Sequence, residues 1–254
     1  MATFKHSGNA GDIIYALPCI IAHSKECAAT LYLALDVPLK NVINHPVGNV
    51  MLNRKMFDML KPLLEAQSYI KEVLVYNNEQ IDYDLDKFRE AGIHLGQGDI
   101  CTWYNHVYPF VFDLSKTWID SLMAYSDYFD KIVLCRTNRY HAKHINYMPL
   151  KKYYDKIIFI GVESEHIEFC REYFDVEYFP VKDFWEMASI INSCKLFISN
   201  QTMAFAIAEA LKVPRVLEAC PTAHNVHPKG DKGAFAFYHQ HFHQLIDRFL
   251  AFDE

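Results

Sequence analysis

Two stretches of the chain share one design. His6-Ser-Gly-Asn-Ala-Gly-Asp12-Ile-Ile-Tyr-Ala-Leu-Pro18 and Leu196-Phe-Ile-Ser-Asn-Gln-Thr202, the latter running into Ala204-Phe-Ala-Ile-Ala-Glu-Ala-Leu211, each read as a strand, a tight polar turn and a helix. Such a turn leaves free backbone N–H groups and the positive end of a helix dipole at the carboxyl edge of a sheet, where open α/β folds bind anions. Two of them in one chain predict two sites facing a central cleft.

The pattern between them supports this. Extended segments at 3–6, 29–35 and 73–76 alternate with helical spacing at 13–21 and 51–64, and a second series follows. It places strands at 131–135, 157–161, 176–179, 196–199 and 215–218, and helices at 164–173, 184–194, 202–211 and 239–252. Alternation of this kind marks parallel sheets with crossover helices. At 254 residues the chain has room for two domains of about 100 to 150 residues. The expected division is 1–126 and 127–254, two Rossmann-like halves, with a helix over 116–128 and a hinge at 127–130. Pro18 falls inside the first helical pattern, which predicts a kink or a late start. Residues 77–114 show no clean period and are expected to form the variable edge of the first half.

Composition excludes several classes. A net charge of −6 removes the broad positive field that non-specific nucleic-acid binding needs, so a nucleic-acid partner is not expected. Seven cysteines without a Cys-x-x-Cys pair indicate neither a zinc site nor a disulfide framework. No basic leader with an apolar core opens the chain, and the apolar stretch 13–22 is too short to span a bilayer, which points to a cytoplasmic protein without a transmembrane segment. No Gly-x-Gly-x-x-Gly fingerprint supports an NAD-dependent enzyme.

Gly11-Asp12-Ile-Ile-Tyr-Ala-Leu17-Pro18 and the run from Met187 through Pro214 carry a resemblance to the heptosyltransferase family of GT-B glycosyltransferases. That family has a Gly-Asp pair and a Leu-Pro helix after its first strand, and later a signature close to Asp-Leu-Phe-Ile-Ser-Asn-Asp-Ser-Gly-x-x-His-x-Ala-x-Ala-Leu-x-x-Pro. The resemblance implies a GT-B-like α/β fold and sugar transfer from a nucleotide-diphosphate donor to the hydroxyl of a glycan or other acceptor, with inversion. It also implies no cofactor beyond the nucleotide sugar and no bound metal. This chain departs from the signature at Gln201, Met203 and Ala206, where the family has Asp, Gly and His. These are side chains on the donor side. A GT-B-fold protein that binds a nucleotide or sugar without transferring it is therefore the competing reading.

Asp12 is the candidate base, because inverting transfer needs a carboxylate to take the acceptor's proton. It could equally be an ordinary N-cap, a role that would hold its pKa low. Gly8, Asn9 and Gly11 would form the turn and admit ligand. By the resemblance Arg136, Asn138 and Arg139, after the strand that opens the second half, would meet the diphosphate, as guanidinium forks suit phosphate oxygens. Asn200, Gln201 and Thr202 offer donors at a helix N-terminus, whether for a pyrophosphate or for capping. Glu218, by analogy with Rossmann strands, could bind a ribose. Tyr104 and His106, beside Trp103 and Tyr108, could form a stacking platform for the acceptor, though aromatic residues are more often core. His141/His144 and His239/His241/His243 lack the companions of a catalytic zinc motif.

Overall fold

The computed structural model describes residues 1–24, 27–39, 48–120 and 122–251. Its first half is built from β1 (Thr3–His6), α1 (Ala10–Ser24), β2 (Ala29–Leu33), α2 (Arg54–Glu65), β3 (Ile70–Val75), the two-residue β4 (Tyr83–Asp84) and α3 (Ile100–Trp103). The second holds β5 (Ile132–Cys135), β6 (Ile157–Ile160), α4 (Glu163–Glu172), β7 (Glu177–Phe179), α5 (Phe184–Ser193), β8 (Leu196–Ser199), α6 (Met203–Leu211), β9 (Arg215–Glu218), β10 (Gly233–Ala236) and α7 (His239–Ala251). The expected end of the last helix at 252 lies outside the described residues.

Both sheets are parallel. The first runs β3-β2-β1-β4 and the second β10-β9-β8-β5-β6-β7. Each order reverses direction once, between β1 and β4 in the first sheet and between β5 and β8 in the second. In open α/β sheets ligands bind outside the strand ends at such a reversal. The sheet orders alone therefore nominate the residues after β1, β4, β5 and β8.

The expected helix over 116–128 does not form. Apart from a short 3-10 turn at Ser126–Tyr128, the segment is irregular and spends its polar groups on both halves. Trp118 N–H donates to the Ala210 carbonyl of α6, Tyr69 Oη to the Trp118 carbonyl, Asp120 N–H to Gln67 Oε1 and Tyr125 N–H to Ser193 Oγ. Tertiary partners have replaced the ladder that a helix would need. The same segment explains Pro18, whose helix does not start late but is continuous from Ala10 to Ser24 with the proline inside it. Proline has no N–H for the carbonyl four residues back, that of Ile14. The Trp118 indole donates to that carbonyl instead, at 3.2 Å.

Between the sheets lie α1, α2, α5 and α6, with α1 packed on α6 and α2 on α5. One apolar cluster runs through them and reaches both sheets, from Phe4, Ile13 and Leu31 to Ile190, Phe197 and Leu217. A second, containing Phe159, Tyr147 and Phe242, fills the outer face of the second sheet. The core is thus continuous across the two sheets.

Candidate active site

The N-terminal turns of α1 and α6 meet. Gly11, in the first turn of α1, lies so close to α6 that a Cβ there would sit 3.5 Å from Met203 Cα and 3.9 Å from Ala206 Cβ. Gly11 therefore seats one helix on the other and does not open a turn to ligand. Ala206 is fully buried in this contact, where an imidazole would have no room. Two helix N-termini converging from opposite halves concentrate positive potential at one place.

Asp12 stands at that place. Asn9 occupies the cap position, since its carbonyl accepts the Ile13 N–H, and the Asp12 carboxylate accepts from both the backbone and the side-chain amide of Asn9. This is the reciprocal half of a capping box, with Asp12 in the first turn and not at the cap itself. Burial nevertheless pushes its carboxyl above the usual carboxylate value, against the pull of Arg89, the Asn9 hydrogen bonds and Arg139. A capping carboxylate was expected to stay low; desolvation outweighs the cap here. Among its perturbers, Arg89 comes from the first half and Arg139 from the second.

The strand end beneath is a rigid relay. His6 is fully buried; its Nδ1 accepts the Gly8 N–H at 2.8 Å, so Nε2 carries the proton and donates to Tyr104 Oη at 2.9 Å. Tyr104 Oη in turn donates to the Asp12 carbonyl at 2.9 Å. Burial drives the imidazole down to about 4, consistent with this neutral form. Gly8 has no space for a side chain, as a Cβ would lie 2.5 Å from His6 Cε1 and 2.9 Å from both Arg89 Nη2 and Asp12 Oδ2. Asp86, after β4, accepts the Ser7 N–H at 3.0 Å and an ion pair from Arg89, which fixes that guanidinium beside Asp12.

Tyr104 is thus not an acceptor platform. It is 1 % exposed, packed with Trp103 and Phe88, and used as a hydrogen-bond link; His106 is exposed on the following turn. Arg89 and His6 were missed as site residues. Arg89 follows a strand of only two residues, too short to leave a period-2 signal.

On the donor side most of the expected side chains face inward. Arg136 is ion-paired to Glu218 at 2.9 Å and lies over the Tyr147 ring, buried. Glu218 is wholly buried and accepts from Arg136 Nε and Nη2, the Ala142 N–H and Tyr147 Oη. Four donors fill the acceptor sites of a carboxylate, which leaves none for a ribose. Gln201 donates to the Ala223 carbonyl and Asn225 Oδ1 and accepts the Cys220 N–H, so its amide straps a loop to the turn. Through Asn225, which donates to the Leu95 carbonyl and accepts the Ile100 N–H on its own carbonyl, that strap reaches the first half. Thr202 caps α6 by accepting the Phe205 N–H at 3.0 Å, the capping alternative. Asn138 is exposed, with its N–H on Glu165 and its amide on Glu168. Burial lifts the Glu165 carboxyl to about 7.

Arg139 is the exception. Its Nε is buried with no hydrogen-bond partner among the described residues, and its charge acts on Asp12 across the boundary between the halves. No group of three or more His, Cys, Asp or Glu able to hold a metal occurs among the described residues, and none of their helices is long and apolar enough to cross a membrane.

No protein-family model matches the sequence, and no curated protein does. Solved structures do match in shape. The E. coli heptosyltransferase WaaC with ADP-2-deoxy-2-fluoro heptose superposes with a TM-score of 0.62 at 10% identity over 97% of this chain and 99% of that one. E. coli ADP-heptose LPS heptosyltransferase II gives 0.62 at 12% over 98% of each chain. A family 9 glycosyl transferase from Veillonella parvula gives 0.59 at 12% over 92% and 86%. With two parallel sheets and this likeness over almost its whole length, the chain has the GT-B fold of the heptosyltransferases.

Proposed function

We propose that the chain is a cytoplasmic glycosyltransferase that moves a sugar from a nucleotide-diphosphate donor to an acceptor hydroxyl, with inversion and without a resident cofactor or metal. The observation that carries this is that Asp12, with its raised pKa, and Arg139, whose buried Nε has no hydrogen-bond partner among the described residues, follow strands at the two sheet-reversal points and act on one another electrostatically. The acceptor O–H gives its proton to Asp12 as its oxygen attacks the anomeric carbon. The bond from that carbon to the diphosphate oxygen breaks on the opposite face. Arg139 and the N-terminus of α6 take up the charge of the departing nucleoside diphosphate. Arg89 favours the ionised form of the Asp12 carboxylate and so partly offsets its burial. Neighbours of this fold have been solved with ADP and an ADP-heptose analogue, which makes an ADP-sugar the first donor to test.

A second reading rests on Gln201 and Ala206, both given to internal contacts: a protein that binds the nucleotide without transfer. A panel of nucleotide sugars with candidate glycan acceptors separates the two. Release of nucleoside diphosphate that depends on acceptor and is lost in Asp12→Asn supports transfer; tight binding with no release in any mixture supports the binder.

A further inference from the structure

Asn200 follows β8, is wholly buried, and spends its whole side chain on a loop from another strand. Its Oδ1 accepts the Thr137 N–H at 3.0 Å, and its Nδ2 donates to the carbonyls of Thr137 at 3.0 Å and Arg139 at 2.5 Å. Both amide hydrogens and the oxygen are thereby engaged, on either side of Asn138. Glu165 on α4 holds the Asn138 N–H and Glu218 on β9 the Ala142 N–H. Tyr140 within this loop sits at φ 57°, a left-handed backbone that a tyrosine keeps only where its surroundings over-determine it. From this fixed backbone Arg139 extends over the Tyr140 ring, its Nε buried without a hydrogen-bond partner among the described residues and its charge acting on both Glu165 and Asp12.

We propose that Asn200 is a positioning residue: it sets the 137–139 backbone so that Arg139 faces the diphosphate seat, and it makes no contact with the donor itself. This rests on the donor reading above. A cation held in place before the ligand arrives binds it without the ordering cost that a free arginine carries.

The probe is ADP, titrated at two ionic strengths into the full chain and into Arg139→Ala, Asn200→Ala, Asn200→Asp and the Arg139/Asn200 double alanine variant, each first checked by thermal melting. Arg139→Ala should weaken ADP about 10- to 100-fold, the range for a hydrogen bond to a charged group, and flatten the salt dependence. Asn200→Ala should reproduce most of both effects, and the double variant should be no weaker than Arg139→Ala alone. Multiplying losses, or an Asn200→Ala protein that melts lower but binds ADP with unchanged affinity and salt dependence, overturn the proposal. Should the Asn200 variants not fold, hydrogen exchange on the unaltered protein decides. The Thr137 amide should be protected before ADP is added, and protection that arises only with ADP overturns the clamp. An unaltered chain that binds neither ADP nor UDP overturns the donor reading, and this inference with it; ADP binding with independent effects overturns this inference alone.

Discussion

The two strand-turn-helix segments look alike in sequence and have been put to opposite uses. Around the turn after β1 the neighbours converge on Asp12: Asn9 and Arg89 bear on its carboxylate, Gly8 leaves that carboxylate room, and His6, through Tyr104, holds its backbone carbonyl. In the turn after β8, Asn200, Gln201 and Thr202 all bond inward, which leaves the helix backbone and a different loop to meet an anion. The difference teaches that an anion seat needs only N–H groups and one well-held cation, whereas proton transfer needs a particular side chain in a tuned environment.

That contrast can be broken most sharply at Asp12. Asp12→Asn keeps the hydrogen-bond acceptor that faces Asn9 and removes the base, so turnover should fall about 10²- to 10⁴-fold while ADP affinity stays within a few-fold; steady-state rates and ADP titration read the two separately. On the other side the largest effect should fall on stability. Glu218→Ala strands the buried Arg136 guanidinium and should cost about 3 to 5 kcal/mol in urea unfolding.

His6 tests the relay through pH. Its folded value is lowered to about 4 from 6.5, so above pH 6.5 neither state holds the proton and its burial carries no penalty. As pH falls from 6.5 toward 4 only the unfolded chain binds it, and stability drops, by about 2 to 3 kcal/mol at pH 4.5. Urea melts at pH 7.5 and 4.5 should show this loss, and His6→Asn should remove that part of it. The smallest change is expected for Thr202→Ala. Loss of a cap costs about 1 kcal/mol, and ADP binding should change little, because the seat uses the α6 backbone.

Much of this was legible in the sequence, and the reasons are local. Long apolar strands such as 157–160 and 196–199, and the helix starting at Thr202, announce themselves by composition and capping. Asp12 and Arg139 could be picked out because each lies just after a strong strand. What escaped was decided by distant partners. Arg89 sits behind a two-residue strand, Glu218 and Arg136 found each other across 82 positions, and residues 116–125 gave up a helix for bonds to both halves. Tyr104 looked like surface because nothing in its neighbourhood reveals that His6 and the Asp12 carbonyl would claim its hydroxyl.

The indole of Trp118 on the Ile14 carbonyl has a consequence for how the molecule is made. The two residues lie 104 positions apart, so the first helix waits for a group that a ribosome adding about 5 to 20 residues per second supplies roughly 5 to 20 s later. Until then the helix carries an open carbonyl at its proline, and its apolar face lacks α6, which is synthesised later still. The first helix thus gains its carbonyl donor from residue 118 and its packing partner from residues 203–211, both made after it.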